Sequence, residues 1–291
     1  MAEPITRSGI VVGVDGSDPS RAAVRWAAHH AAMRNIPLTL VHVVNLRYTT
    51  MPQTPLPVGF GGWLEEQGET VLNEAAQIAE HGGASQVETK MFTAAAIPTL
   101  VDVSKQAQML VVGCRGRGAL ARLLLGSVSA GMVAHAHCPV AVIHDEKPMI
   151  AHPAQAPVLV GIDVSPASDA ATAIAFDEAS RRGAELIALH AWSDEQLSEF
   201  PGFDWSAACA DEEELLAQRL AGWQERYPDV TVQRVVVCDD AARQLLHRAE
   251  SAQLVVVGSH GRGGFTGMLI GSVAAAVAQS ARVPVIVARR A

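Results

Sequence analysis

The sequence predicts an α/β protein of two similar domains, in each of which helices cover both faces of a parallel sheet. Short runs rich in Val, Ile and Leu alternate with longer stretches of helical periodicity, a pattern typical of strands buried on both faces. The chain has 291 residues, 49% of them hydrophobic, which is enough for two cores of ordinary size. In addition, VVGCRGRGALARLLLGSV at 111–128 recurs as VVGSHGRGGFTGMLIGSV at 256–273, with ten of the eighteen residues identical.

The elements of the first half follow from this alternation. Its first strand is the apolar run before Asp18 and Pro19, two residues that favour the start of a helix. Pro166 in the second half and Ser127 after the glycine-rich segment favour helix starts in the same way. Strands are predicted near 9–15, 37–44, 86–92, 108–113 and 139–144, and helices near 18–34, 63–81, 96–107 and 127–136. The second half repeats this order.

The duplication extends over most of both halves. IVVGVDGS at 10–17 matches VLVGIDVS at 158–165, and CPVAVI at 138–143 matches VPVIVA at 283–288. Between the halves lies a polar stretch, 144–157, with three prolines, which cannot continue a helix or donate to a central strand. The predicted divisions are a first domain (1–145), a linker (146–156) and a second domain (157–291).

Composition narrows the classes of function. The formal net charge of −8 argues against a nucleic-acid backbone as the main partner. Four cysteines without a CxxC pair or zinc-type His spacing favour reduced thiols over a disulfide framework or a structural metal. The amino terminus has no signal pattern, and no apolar run approaches the roughly 18 residues that span a bilayer. We therefore expect a cytoplasmic protein with no membrane partner.

Each half carries the pattern G-x2-G-x9-G-S between its fourth strand and the following helix. Glycine allows the backbone to approach a ligand closely, and the first N–H groups of a helix attract an anion. The pattern therefore favours the binding of nucleotide phosphates, with turn geometry alone as the alternative. It lacks the Lys of a Walker A loop, and it follows the fourth strand, whereas a Rossmann dinucleotide site places its glycines after the first.

An acidic residue ends the first strand of each half, Asp15 in the first and Asp163 in the second. If strands one and four are neighbours in a sheet of order 3-2-1-4-5, these acids meet the glycine segments at the switch point, where ligands bind. A carboxylate repels phosphate but accepts hydrogen bonds from ribose hydroxyls or an adenine amino group. The alternative is a role in the turn or as a helix cap.

These features resemble the universal stress proteins, in particular the tandem two-domain type found in mycobacteria. The resemblance rests on GVDGS at 13–17, GIDVS at 161–165, the two glycine patterns and the two final strands. It implies two Rossmann-like domains of the adenine nucleotide alpha hydrolase-like type, each with a five-stranded parallel sheet of order 3-2-1-4-5. It also implies ATP as the ligand, which we expect to bind with Mg²⁺.

The resemblance also implies a set of nucleotide-binding residues. In the first domain these are Gly13, Asp15 and Val41 near ribose and adenine, with Gly113, Gly116, Gly126, Ser127, Val128 and Ser129 around the phosphates. In the second domain they are Gly161, Asp163 and Leu189, with Gly258, Gly261, Gly271, Ser272 and Val273. Ala274 stands where the first domain has Ser129, and Val164 replaces Gly16. We therefore expect the second site to bind more weakly.

Other polar residues are less informative. His42 and His190, near the end of the second strand of each half, favour buried structural roles over a role as catalytic base. Four cationic or titratable residues of the glycine segments can screen phosphate charge or simply be exposed loop residues; these are Arg115, Arg117, His260 and Arg262. Cys114 is replaced by Ser259 in the second half, which argues against obligatory thiol chemistry.

We expect an ATP-binding stress-response regulator whose nucleotide state biases its shape or its partners. A slow ATPase or phosphotransferase is the alternative, although no catalytic residue is assigned because no convincing base is evident. A flavin-dependent electron carrier is a third hypothesis. The resemblance further implies that the two halves imitate the dimer of single-domain relatives through their final strands. We also expect a homodimer of the chain and an unidentified regulatory protein partner.

Overall fold

The computed structural model describes residues 9–45, 58–116, 125–144, 156–163, 165–192, 205–261 and 269–289. Contacts divide the chain into two compact units, Met1–Asp145 together with Ala291, and Glu146–Arg290. The predictions that concern Arg117, Val164 and Arg262, and almost all of the predicted linker, lie outside the described residues.

The first unit alternates strands and helices as predicted. Its elements are β1 (Ile10–Val14), α1 (Asp18–Arg34), β2 (Leu38–Val44), α2 (Phe60–His81), β3 (Val87–Thr93), α3 (Ala96–Ser104), β4 (Met109–Gly113), α4 (Ser127–His135) and β5 (Val140–Ile143). The strands pair in parallel in the order β3-β2-β1-β4-β5. The boundaries differ little from those predicted, since α2 begins at Phe60 instead of near 63 and α3 ends at Ser104 instead of near 107.

The second unit repeats the arrangement. Its elements are β6 (Val158–Gly161), α5 (Pro166–Arg182), β7 (Leu186–Trp192), α6 (Trp205–Arg226), β8 (Val232–Cys238), α7 (Ala241–Ala249), β9 (Leu254–Gly258), α8 (Ser272–Ser280) and β10 (Val285–Ala288). Its strands are also parallel, in the order β8-β7-β6-β9-β10. The predicted α/β fold class is confirmed.

Local sequence explains where the first helix of each unit begins. The Ser17 side chain accepts a hydrogen bond from the Ser20 N–H and caps α1, which starts at Asp18. Ser165 caps α5 in the same way, through the N–H of Ser168. Proline lies within the first two positions of both helices, where its missing N–H costs nothing. The predicted helix starts are therefore confirmed.

The core of each unit lies between its sheet and its helices. Fully buried side chains include Ile10, Leu38, Leu40 and Leu110 in the first unit, and Phe176, Leu186, Leu216 and Leu220 in the second. Each such burial stabilises the fold by about 1.5–3 kcal/mol, so the strands form a firm base for the loops that follow them. Within the described residues, helices that combine the length and the apolar character needed to cross a membrane are absent.

Candidate functional site

The carboxyl ends of β1 and β4 meet at the predicted switch point. Ile10 lies opposite Met109, and Val12 lies opposite Val111. A cleft of about 420 Å³ opens where the two strands lead into their loops. It is lined by Gly16, Ser17, Asp18, Pro19, Arg21, Cys114 and Arg115. Ligands of open α/β sheets bind at such positions.

The glycines of the repeated pattern allow close approach of the chain. A Cβ on Gly113 would lie 2.6 Å from the carbonyl carbon of Pro19, and one on Gly116 would lie 2.5 Å from Asp15 Oδ2. In the second unit a Cβ on Gly261 would lie 2.7 Å from Asp163 Oδ2. None of the six glycines named from the two patterns has a positive φ. Gly113 and Gly258 are therefore explained by close packing against the first helix, and Gly116 and Gly261 by close packing against the acid, not by left-handed turn geometry.

The last glycine of each pattern is the N-cap of the next helix. The Gly126 N–H donates to the Cys114 carbonyl at 2.8 Å, and the Gly271 N–H donates to the Ser259 carbonyl at 2.8 Å. These bonds fold each loop back onto its strand. Glycine has no side chain to cap α4 or α8, in contrast to Ser17 at α1. Both helices therefore begin without a side-chain cap, as a helix N-terminus that binds an anion would.

Asp15 and Asp163 have a role in the turn. Oδ1 of Asp15 accepts hydrogen bonds from the Ser17 N–H at 3.0 Å and from the Ser17 hydroxyl at 2.6 Å. Oδ1 of Asp163 accepts from the Ser165 N–H at 2.8 Å, whereas the Ser165 hydroxyl donates to the His260 carbonyl at 3.1 Å. The turn role is therefore present, and the second carboxylate oxygen faces the glycine segment in both units. Contact with ribose or adenine stays a prediction.

The comparisons with known proteins agree with this duplicated geometry. The model of the universal stress protein family matches residues 7–144 and again residues 156–289. The chain belongs to the universal stress protein family. It is of the tandem two-domain type, because both halves match the same family model.

Similar proteins are known from mycobacteria. Universal stress protein Rv2005c of Mycobacterium tuberculosis is 58% identical over 294 residues, which cover 100% of both chains. Universal stress protein Rv2623 of the same organism is 56% identical over 285 residues, covering 97% of this chain and 96% of the relative. A crystal structure of a universal stress protein from Archaeoglobus fulgidus has the same fold, with a TM-score of 0.73 and 23% identity over 98% of this chain and 97% of that chain.

In this universal stress protein the Ser129 hydroxyl has a structural partner. It is buried and donates to the Gly113 carbonyl at 2.6 Å. A hydroxyl has one proton to donate, and in this arrangement Ser129 uses it to hold α4 to the end of β4. Contact of Ser129 with a phosphate stays a prediction. Ala274, at the equivalent position of α8, has no hydroxyl for such a bond. The two units therefore differ in a hydrogen bond that holds the helix after the glycine segment to the preceding strand.

The residues predicted to contact adenine lie deeper than expected. Val41 pairs with Gly13 in the middle of the sheet and is 1% exposed, and Leu189 is 2% exposed. β1 ends at Val14, opposite His42, while β2 continues to Val44. Val43 is half-buried and lies beyond the end of β1, so its backbone is better placed than that of Val41 to meet a base.

The first predicted glycine of each unit makes room for a helix. A Cβ on Gly13 would lie 3.3 Å from Leu100 Cδ1 of α3, and one on Gly161 would lie 3.2 Å from Leu245 Cδ1 of α7. Packing of these helices therefore accounts for both glycines. Their contact with a nucleotide stays a prediction.

Both histidines hydrogen-bond to the end of the first strand. His42 Nδ1 lies 2.8 Å from the Val14 carbonyl oxygen, and His190 Nδ1 lies 2.7 Å from the Ile162 carbonyl oxygen. His190 Nε2 lies 3.0 Å from Glu212 Oε2 of α6. Because a carbonyl only accepts, Nδ1 carries the proton in both rings. These bonds support the predicted structural role.

Sequence reasoning missed one cation of the cleft. Arg21 lies on α1 and forms ion pairs with Glu74 at 2.7 Å and with Asp18 at 2.8 Å. The hydrogen bonds from Arg21 to Glu74, and then to Asp18, raise the pKa of the guanidinium, so it stays charged. Its sequence position gives no signal of this role, because Arg21 lies on α1 and outside the glycine segments. Arg115, which was predicted, also lines the cleft.

Proposed function

We propose that each unit binds one ATP at the carboxyl ends of its first and fourth strands, and that nucleotide occupancy biases the conformation or partner binding of the chain. One observation carries the proposal. In both units, a helix that begins at a glycine N-cap adjoins a loop that is packed against the acid ending the first strand. This arrangement supports the proposal, because backbone N–H groups suit a phosphate and a carboxylate suits ribose hydroxyls.

The phosphates are assigned to the start of α4 and its equivalent. The N–H groups of Ser127 and Val128 are among the first four of the helix, which have no acceptor within it. The dipole of the helix adds partial positive charge there. Arg115 lines the cleft and supplies a full positive charge. In the second unit Ser272 and Val273 are the equivalent helix residues.

The ribose and the base are assigned to the ends of β1 and β2. Asp15 accepts hydrogen bonds and donates none when ionised, which suits ribose hydroxyls and disfavours phosphate. The backbone at Val43, beyond the end of β1, offers the N–H and C=O groups that an adenine edge requires. This combination is the reason for assigning an adenine nucleotide instead of a simple inorganic anion.

Mg²⁺ fits the cleft only if the phosphates of a bound nucleotide are among its ligands. Within the described part of the chain there is no group of three or more His, Cys, Asp or Glu that could hold a metal ion. Mg²⁺ usually keeps several waters and binds through one or two carboxylates together with substrate phosphates. Asp18 lines the cleft and Asp15 lies beside Gly116. With so few carboxylates, the phosphates would have to supply most of the non-water ligands.

Isothermal titration calorimetry of the full chain with ATP tests the proposal. We expect about two ATP per chain, and ATP at about 100 times its Kd should stabilise the native state by roughly 2.7 kcal/mol per site. Gly271→Asp should remove one equivalent and leave the other. If neither heat of binding nor a shift in Tm is seen, the nucleotide proposal is wrong. If wild type binds one ATP and Gly271→Asp leaves it unchanged, the second loop does not bind nucleotide.

Turnover distinguishes the regulator from the alternative, a slow ATPase or phosphotransferase. Hydrolysis requires an oriented water and stabilisation of the charge that develops on the phosphate. We expect phosphate release to be slow compared with the roughly 1–100 per second of dedicated kinases. Sustained turnover in that range, abolished by Asp15→Ala while ATP still binds, would establish an enzyme instead.

A further inference from the structure

Two cysteines of the second unit lie outside the nucleotide cleft. Cys209 belongs to α6 and is partly buried, and Cys238 is the last residue of β8 and is exposed. The other two cysteines, Cys114 and Cys138, are buried in the first unit.

The register of the sheet places Cys238 on the face that α6 covers. His190 of β7 contacts Glu212 of α6 through Nε2, at 3.0 Å, so its side chain faces that helix. β8 pairs with β7 so that Val236 lies opposite His190 and Cys238 lies opposite Trp192. Residues two apart on a strand share a face of the sheet. Cys238 is therefore on the same face as His190, two residues nearer the carboxyl end.

The periodicity of α6 places Cys209 above the same region. Leu216 and Leu220 are buried, and together with Glu212 they form a stripe at a spacing of four residues that faces the sheet. Cys209 comes three residues before Glu212, on the same stripe and one turn nearer the start of the helix. Because a crossover helix runs antiparallel to the strands it joins, that start lies at their carboxyl ends.

The two displacements from the His190–Glu212 contact have the same direction and differ in length by about 2 Å. Three residues of helix rise about 4.5 Å, and two residues of strand span about 6.6 Å, both toward the carboxyl edge. Partial loss of hydration raises the pKa of the Cys238 thiol above its usual range, and the nearby negative charges of Cys209 and Asp239 raise it further. The influence of Cys209 on Cys238 agrees with a short separation of the two thiols.

We propose that Cys209 and Cys238 form a reversible disulfide bond within the second unit when the protein meets a hydroperoxide. One thiolate attacks an oxygen of the peroxide, so that an S–O bond forms and the O–O bond breaks. The leaving alkoxide takes up the proton that the thiol lost, which gives a sulfenic acid and an alcohol, or water when the oxidant is hydrogen peroxide. The second thiol then attacks the sulfenic sulfur, the S–S bond forms, and water leaves. The two sulfurs together lose two electrons, which reduce the peroxide. A small-molecule dithiol reverses the reaction by exchange.

The bond would join the first turns of α6 to the end of β8. In the first unit the equivalent positions of α2 and β3 are Leu64 and Thr93, so the pair is specific to the second unit. The inference does not depend on nucleotide binding, and its test is independent of ATP.

Peptide mapping without reduction tests the inference. The reduced full chain is treated with hydrogen peroxide in the native state, its remaining thiols are alkylated, and it is digested and analysed by mass spectrometry. We expect one cross-linked peptide pair that contains Cys209 and Cys238 and disappears after treatment with a dithiol. Thiol counting should show the loss of two reactive groups per chain.

Single-residue variants identify the partners. Cys209→Ser and Cys238→Ser should each abolish the cross-linked pair, whereas Cys138→Val should retain it because Val283 occupies the equivalent position in the second unit. The inference is wrong if peroxide leaves both thiols reduced, or if Cys238 is oxidised to an acid while Cys209 stays reduced. Cross-links that join Cys238 mainly to another chain would overturn it as well.

Discussion

Replacing Gly126 by Asp tests whether α4 begins at an anion site. A Cβ on Gly126 would lie 3.3 Å from the Cys114 carbonyl oxygen and 3.6 Å from the Gly116 nitrogen. The carboxylate of Asp, one bond further out, would therefore compete for the space that we assign to phosphate. Asn has nearly the same size and no charge. Gly126→Asn is thus the matched control for crowding of the loop.

The expected effect of the added charge follows from Coulomb's law. Two unit charges about 4 Å apart interact by about 1 kcal/mol at the dielectric constant of water, and by about 4 kcal/mol at an effective value of about 20. Gly126 is half-buried, so the repulsion between carboxylate and phosphate lies between these limits. We expect ATP to bind the first unit about 10-fold more weakly, or more, in the Asp variant than in the Asn variant, a difference of about 1.4 kcal/mol.

Calorimetric titration with ATP at two salt concentrations measures this difference. The Debye length falls from about 10 Å at 0.1 M to about 3 Å at 1 M ionic strength, so added salt should narrow the gap between the variants. Equal affinities of the Asp and Asn variants at low salt would show that no phosphate binds at the start of α4. A large loss in both variants would instead show that crowding of the loop dominates.

Three further predictions concern stability. Gly113→Ala should lower Tm, because its Cβ would lie 2.6 Å from the Pro19 backbone and overpacking of this kind costs about 1–3 kcal/mol; an unchanged Tm would contradict the close approach. Ser129→Ala removes the donor to a buried carbonyl and should lower the free energy of unfolding in urea by about 1 kcal/mol. The hydrogen bond from Gln244, the largest of several causes, lowers the pKa of Asp239 in the folded protein. The ionised Asp239 therefore stabilises the fold at pH values above the pKa that this group has in the unfolded chain, and this contribution is lost as the pH falls through its pKa in the folded protein. Asp239→Asn should accordingly flatten the loss of stability below about pH 4, which thermal unfolding at a series of pH values measures.

The order of the elements was predictable because each strand is bounded by strong local signals. The apolar run that becomes β1 ends at a polar turn, and Ser17 and Pro19 fix the start of α1 through capping and a preset φ. The duplicated glycine pattern then identified the strand-to-helix loop that lies beside Asp15. The meeting of this loop with Asp15 followed from the strand order alone, since neighbouring parallel strands end at the same edge.

The atoms that face the cleft were less predictable because they depend on tertiary contacts. In the sequence, Val41 and Val43 are two equivalent residues of an apolar strand. In the structure, Val41 pairs with Gly13 of β1, whereas Val43 lies beyond the end of β1 at Val14. The Ser129 hydroxyl is equally able to bind phosphate or a carbonyl, and only the fold shows that it donates to the Gly113 carbonyl. Neither fact has a signal in the local sequence.

The duplication keeps the backbone of the cleft and changes the charge around it. In the first unit Arg21 lines the cleft and pairs with Glu74 of α2. The second unit forms the corresponding ion pair between its first two helices with the signs exchanged, Asp169 of α5 with Arg219 of α6 at 3.3 Å. An acid therefore stands where the first unit places a cation beside the cleft. Backbone N–H groups bind an anion whatever the side chains, but a nearby carboxylate opposes a polyphosphate. Weaker binding of ATP by the second unit is thus expected from its charge. The absence of the Ser129 hydroxyl from that unit is a weaker reason, because in the first unit this hydroxyl is bonded to the Gly113 carbonyl.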